Sequence, residues 1–167
     1  MLIRLQNGGL YPAGIDHVVK GKNGTPGQLA GFVQLGTENK LGDIRNNTSL
    51  GITGVISNEQ YQFQEDKSCA VGCKQDVKKG KASILCQLGD KVQEYEVEIE
   101  KINLSSEDNK GMEIHVTDPE LLKKAGGIVQ GMSGAPLLQD GKCIGAVTHV
   151  FVRDVTRGYA TFLENML

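Results

Sequence analysis

The sequence predicts an all-β fold, on three observations. Glycine is abundant, at 22 of 167 residues, while Trp is absent and helical runs of Ala, Leu, Glu and Lys are rare, a profile of short strands joined by turns. Apolar and polar residues alternate most clearly in "KVQEYEVEIEKI", the period of a half-buried strand. Turn residues punctuate the chain often enough to delimit about eight short strands, the spacing of a barrel or a sandwich. A chain of this length buries roughly 70 % of its unfolded surface in one unit, so 1–167 is read as a single domain.

The elements follow in order. "MLIRLQNGGLYPAG" reads like the inside of a β-rich domain, so the sequence is expected to be truncated at its N-terminus. Strands are predicted near Leu10 to Lys20 and Gln28 to Gly36. Between them, "GKNGTPGQL" lacks the GK[ST] ending and the following helix of a phosphate cradle, and is a connecting loop. "GDIRNNTSLG" also reads as a loop, and its Asn47 sequon matters only in a glycosylating pathway. A strand is predicted over Leu50 to Ser57. "ASILCQL" and "KVQEYEVEIEKI" form a hairpin across Gly89 and Asp90, with Tyr95, Val97 and Ile99 on one face and Glu94, Glu96, Glu98 and Glu100 on the solvated other. Further strands lie near Gly111 to Val116, Lys142 to Phe151 and Gly158 to Leu163. One short helix is predicted in "VTDPELLKKAGG". Asp118 is its N-cap, Pro119 stands at N1, Lys123 and Lys124 fill the last turn, and Gly126 and Gly127 lie past its end.

Composition removes several function classes. A formal charge of −2, from 18 basic and 20 acidic residues, sets up no field for nucleic acid or an anionic membrane, and no nucleic-acid partner is expected. No apolar run approaches the roughly 20 residues of a transmembrane helix. Cys69, Cys73, Cys86 and Cys143 include a CxxxC without a second close pair or a nearby His, so no metal and no cofactor are expected.

Chemistry concentrates in "GMSGAP", directly after the helix. A serine hydroxyl becomes a nucleophile when a base takes its proton and preorganised donors receive the oxyanion. In a GxSGxP loop, Gly131 can turn its N–H inward beside that of Ser133 as an oxyanion hole, Gly134 leaves room for substrate, and Pro136 fixes the exit into a strand. "PLLQDGKCIGAV" then supplies a strand, an Asp140-Gly141 turn and a second strand. That succession is how the second barrel of chymotrypsin-like peptidases carries its nucleophile. It differs from the GxSxG elbow of α/β-hydrolases, where a helix follows the serine.

"GGIVQGMSGAPLLQDGKCIGAVTHVFVRDVTRGY" closely resembles the nucleophile region of the SpoIVB peptidase family, the sporulation stage IV protein B serine peptidases of endospore-forming bacteria. The resemblance runs back through "VTDPELL", "EYEVEIEKI" and "KGKNGTPGQLAG" and is most specific at the C-terminal end. It implies a chymotrypsin-like double β-barrel and a serine endopeptidase that cleaves a membrane-associated regulatory protein in sporulation signalling. The implied location is extracytoplasmic, in the space between the two forespore membranes. Membrane association is implied only through segments outside this chain. The family's nucleophile maps onto Ser133, and the aspartate of its "VTDP" segment, a member of the catalytic set, onto Asp118. Asp118 thus carries two readings, helix N-cap and orienter of a histidine.

The base is harder to place. The resemblance puts the catalytic histidine in a "GHG"-like segment ahead of "LQNGGLYPAG", which this chain does not contain; it should fall just before Met1. His17 reads as a strand or surface residue, and His115 as facing away from the layer of Ile114 and Val116. His149 is expected on the strand bordering the cleft, as a substitute base or a pocket-lining residue. The chain is therefore expected to carry a nucleophile without its base and to be inactive or weakly active. The competing account is a non-catalytic peptide-binding module with a peptidase-like fold.

Overall fold

A computed structural model describes residues 8–59, 68–106 and 108–167. In chain order the strands are β1 (Gly8–Leu10), β2 (Ala13–Val19), β3 (Gln28–Val33), β4 (Gly42–Thr48), β5 (Gly51–Ile56), β6 (Ala70–Val71), β7 (Gly80–Gln87), β8 (Val92–Ile102) and β9 (Met112–Val116). The helix α1 (Pro119–Ala125) follows, then β10 (Pro136–Gln139), β11 (Lys142–Val150) and β12 (Arg157–Phe162). The chain divides into two compact units. The described residues of Met1–Gly14 and Gly31–Ser68 make the first, and those of Ile15–Ala30 and Cys69–Leu167 the second.

The first unit holds an antiparallel sheet in the order β1-β4-β5. Strand β4 corrects the sequence reading, which makes Gly42 to Gly51 a loop. The segment shows no alternation because five of its seven side chains are exposed, so burial stamps no period on it. Pairing holds it instead: β4 lies antiparallel to β5 over Gly42↔Ile56 through Thr48↔Gly51, and the Asn46 amide donates to Thr53 Oγ1 at 3.0 Å across the pair. Strands β2 and β3 form a separate two-stranded sheet. The loop between them is the connecting loop expected, closed by reciprocal backbone bonds between Lys22 and Thr25.

The second unit contains a closed six-stranded barrel, in the order β10-β7-β8-β9-β12-β11, with β11 pairing back to β10. Closure leaves no edge among these six strands, and β6 adds to β11 outside the ring in parallel. This all-β architecture with one short helix agrees with the chymotrypsin-like fold expected. The barrel interior is filled by Ile84, Tyr95, Val97, Ile99, Met112, Ile114, Leu137, Val147, Ala160 and Phe162, none more than 2 % exposed. Each large apolar side chain withdrawn from water in this way contributes roughly 1.5–3 kcal/mol. The alternation in β8 is as expected: Tyr95, Val97 and Ile99 are buried, Glu94, Glu96 and Glu98 exposed.

Candidate active site

Helix α1 sets the approach to the "GMSGAP" loop. Asp118 Oδ1 accepts from the amides of Glu120 at 2.8 Å and Leu121 at 2.9 Å, satisfying two of the donors that a helix start leaves unpaired. Its Oδ2 accepts from the Glu96 amide at 3.3 Å, tying the helix start to β8. The helix ends at Gly126, left-handed at φ 81°, whose amide returns to Leu122 O at 3.0 Å. The exit strap is then fixed from both sides. Ile128 N donates to Val155 O at 2.8 Å, Gln130 N to Gly27 O at 2.9 Å, and Leu29 N to Gln130 O at 2.8 Å.

Two consecutive turns build the loop itself. Met132 N donates to Val129 O at 3.2 Å, and Ala135 N to Met132 O at 2.9 Å, so residues 129–132 and 132–135 each close a four-residue turn. The third residue of each is a glycine with positive φ, Gly131 at 102° and Gly134 at 92°. A positive φ at that place is the mark of a type II turn, and the glycine spacing of the motif is the spacing of the two turns. Met132, 2 % exposed, plugs the core between them. Gly131, Ser133 and Gly134 face outward.

This arrangement divides the loop amides. Those of Met132 and Ala135 close the turns, and that of Gly134 donates to Val147 O at 2.8 Å. Among the described residues, the amides of Gly131 and Ser133 have no acceptor. The hydroxyl of Ser133 is exposed and donates to the Thr148 carbonyl at 2.8 Å. That carbonyl is presented by a β-bulge, since the β11–β12 register runs Val147↔Ala160 and then His149↔Tyr159, leaving Thr148 unpaired. Thr148 Oγ1 donates in turn to Asn109 O at 2.6 Å and Tyr159 O at 3.2 Å, which pins the bulge. Nothing in the residue types announces Thr148, because a register slip has no side-chain signature.

Along its whole length, residues 1–167, the chain matches the sequence model of a peptidase family described as SpoIVB peptidase S55. The chain belongs to the SpoIVB peptidase S55 family. No curated protein matches it, and no solved structure does. Membership makes the chain a peptidase by family, a hydrolase, and gives the two free amides beside an exposed hydroxyl a chemical context.

Among the described residues, no hydrogen bond joins the remaining candidates of this SpoIVB-type chain to that hydroxyl. Asp118 is fully engaged as a helix cap, and its described hydrogen bonds include no histidine. His17 is exposed on β2, its Nδ1 2.9 Å from Asp16. His115 faces out of the barrel as expected, half-buried and 3.6 Å from Glu100, which also binds Arg157 at 2.9 Å. His149 stands exposed on β11, the residue after the carbonyl that holds Ser133 Oγ. It is the last of the causes that hold the Asp108 carboxyl below its ordinary value, after the Ser106 hydroxyl, the Lys110 amide and the Lys110 charge. Among the described residues no His, Cys, Asp and Glu group of three or more is placed to hold a metal, and no helix is long and apolar enough to cross a membrane.

Proposed function

We propose that this chain is a serine endopeptidase domain in which Ser133 is the nucleophile and the Gly131 and Ser133 amides form the oxyanion hole. The observation that carries the reading is a pair of amides that are unengaged among the described residues, in the same loop as an exposed hydroxyl and with the loop's other amides used. Donors already in place, rather than reorganised during reaction, are worth roughly 10²–10³ in rate each. The substrate class we propose is a membrane-associated regulatory protein of sporulation, cleaved between the forespore membranes, on the strength of family membership.

Ser133 rests with its proton on a main-chain carbonyl, which is too weakly basic to remove it. Turnover needs an imidazole at that position, and none of the three histidines bonds Ser133 among the described residues. The chain by itself is therefore slow or inactive, and His149 is the residue best placed to stand in as base. Asp118 serves as the helix cap that aims the loop, with the orienting role secondary.

Fluorophosphonate labelling with and without added imidazole tests this. The expected result is a slow adduct on Ser133 that imidazole accelerates and that Ser133→Ala abolishes. Absence of any adduct at all imidazole concentrations would favour the second reading, a peptide-binding module, which the resting Ser133–Thr148 bond also permits. Rapid labelling without imidazole, lost in His149→Ala, would make His149 the base.

A further inference from the structure

Four cysteines are free in this structure, and two of them, Cys69 and Cys143, lie at the pairing of β6 with β11. Strand β6 runs parallel to β11 with Ala70 opposite Lys142 and Val71 opposite Cys143. Cys69 directly precedes β6, two residues from the Val71 that lies opposite Cys143. Gly72 N anchors the pairing with a 2.8 Å bond to Cys143 O. Cys69 is near enough to be among the groups that act on the Cys143 thiol, which burial first of all raises. Cys69 is exposed and Cys143 half-buried, whereas Cys86 is buried in the barrel, so an oxidant in solution reaches the first two and not the third.

We propose that Cys69 and Cys143 are a disulfide-forming pair that staples β6 to the rim of the barrel. Cys69 is the first residue of the stretch Cys69–Leu167 that makes up most of the second unit, so the bond ties the start of that stretch to β11. The loop it closes contains β7 to β10, α1 and Ser133. Closing so long a loop restricts the unfolded chain, and the folded form gains accordingly.

The chemistry balances with a small-molecule disulfide such as oxidised glutathione. The exposed Cys69 thiolate attacks it, releasing one glutathione thiol and leaving a mixed disulfide on Cys69. The Cys143 thiolate then attacks Cys69 Sγ and expels the second glutathione. Two protein thiols have lost two protons and two electrons, and the glutathione disulfide has taken up both electrons.

Mass spectrometry of the full chain decides the matter. After equilibration with oxidised and reduced glutathione, alkylation and tryptic digestion, the peptide 68–74 is expected joined to the peptide 143–153. Because 68–74 also contains Cys73, two variants locate the bond: the joined pair persists in Cys73→Ser and vanishes in Cys69→Ser. Reducing the oxidised protein is expected to lower its Tm by about 5 °C or more. A Cys69–Cys73 bond within one peptide, or Cys143 recovered free or only as a glutathione adduct across the redox range, would overturn the proposal.

Discussion

Single residues divide into those held by backbone geometry and those held by contacts, and the loop glycines belong to the first class. A Cβ on Gly134 would meet nothing within 4 Å, yet φ 92° is a conformation that side-chain-bearing residues rarely adopt. Gly134→Ala is therefore expected to lose roughly 1–2 kcal/mol through strain alone and to slow labelling of Ser133, although no contact is lost. At Gly131 the same change also presses on Leu29, whose Cβ lies 3.0 Å from the added atom, so it should be the more damaging of the two in a thermal melt. Asp118 separates differently. Asp118→Ala should lower stability by about 1 kcal/mol, and Asp118→Asn, which keeps an acceptor oxygen for the cap but no charge, should recover most of it. If Asp118→Asn melts like the wild type but labels Ser133 far more slowly in the presence of imidazole, the carboxylate has an orienting role beyond its cap.

Elements were legible in the sequence wherever one force dominated. Helix α1 carries a signal at every terminal position, and the structure reproduces the cap, the proline and the left-handed glycine. The Asp140-Gly141 turn is equally direct, with φ 52° and 74° matching the mirror-image turn that fits a twisted hairpin. Strand β8 is legible because burial on one face writes a period of two into it. That claim is open to measurement in denaturant: Ile99→Ala should cost roughly 2–5 kcal/mol, whereas Glu98→Ala, one residue away on the exposed face, should stay within about 0.5 kcal/mol. Strand β4 escaped notice for the opposite reason, its order coming from partners distant in sequence rather than from its own pattern. The Thr148 bulge escaped for a related one. It is a mismatch between β11 and β12, a property of the pair and of neither strand alone.

For the second unit as a whole, a closed barrel makes one cooperative core, and the groups buried in it report on that cooperativity. Cys86 is 8 % exposed, and burial, reinforced by the charge of Asp118, pushes its thiol up to about 11 from an ordinary value of 9.0. The folded state therefore holds this proton more tightly than the unfolded chain does. A group whose folded value is raised contributes its full stability below the unfolded value and loses it as the pH climbs through the folded one, so this contribution is intact at pH 8 and decays between about 9 and 11. Tyr95 is also raised, by burial first, and it titrates in both proteins when wild type is compared with Cys86→Ala. The comparison reports on the thiol together with the smaller effect that its charge has on Tyr95. Wild type should be the more stable at pH 8, where the variant pays for a cavity, and the gap in unfolding free energy should narrow steadily toward pH 11. A gap that stays constant over that range would mean that Cys86 exchanges its proton as freely in the fold as in the unfolded chain, and that the barrel opens around β7 more readily than its closed strand order implies.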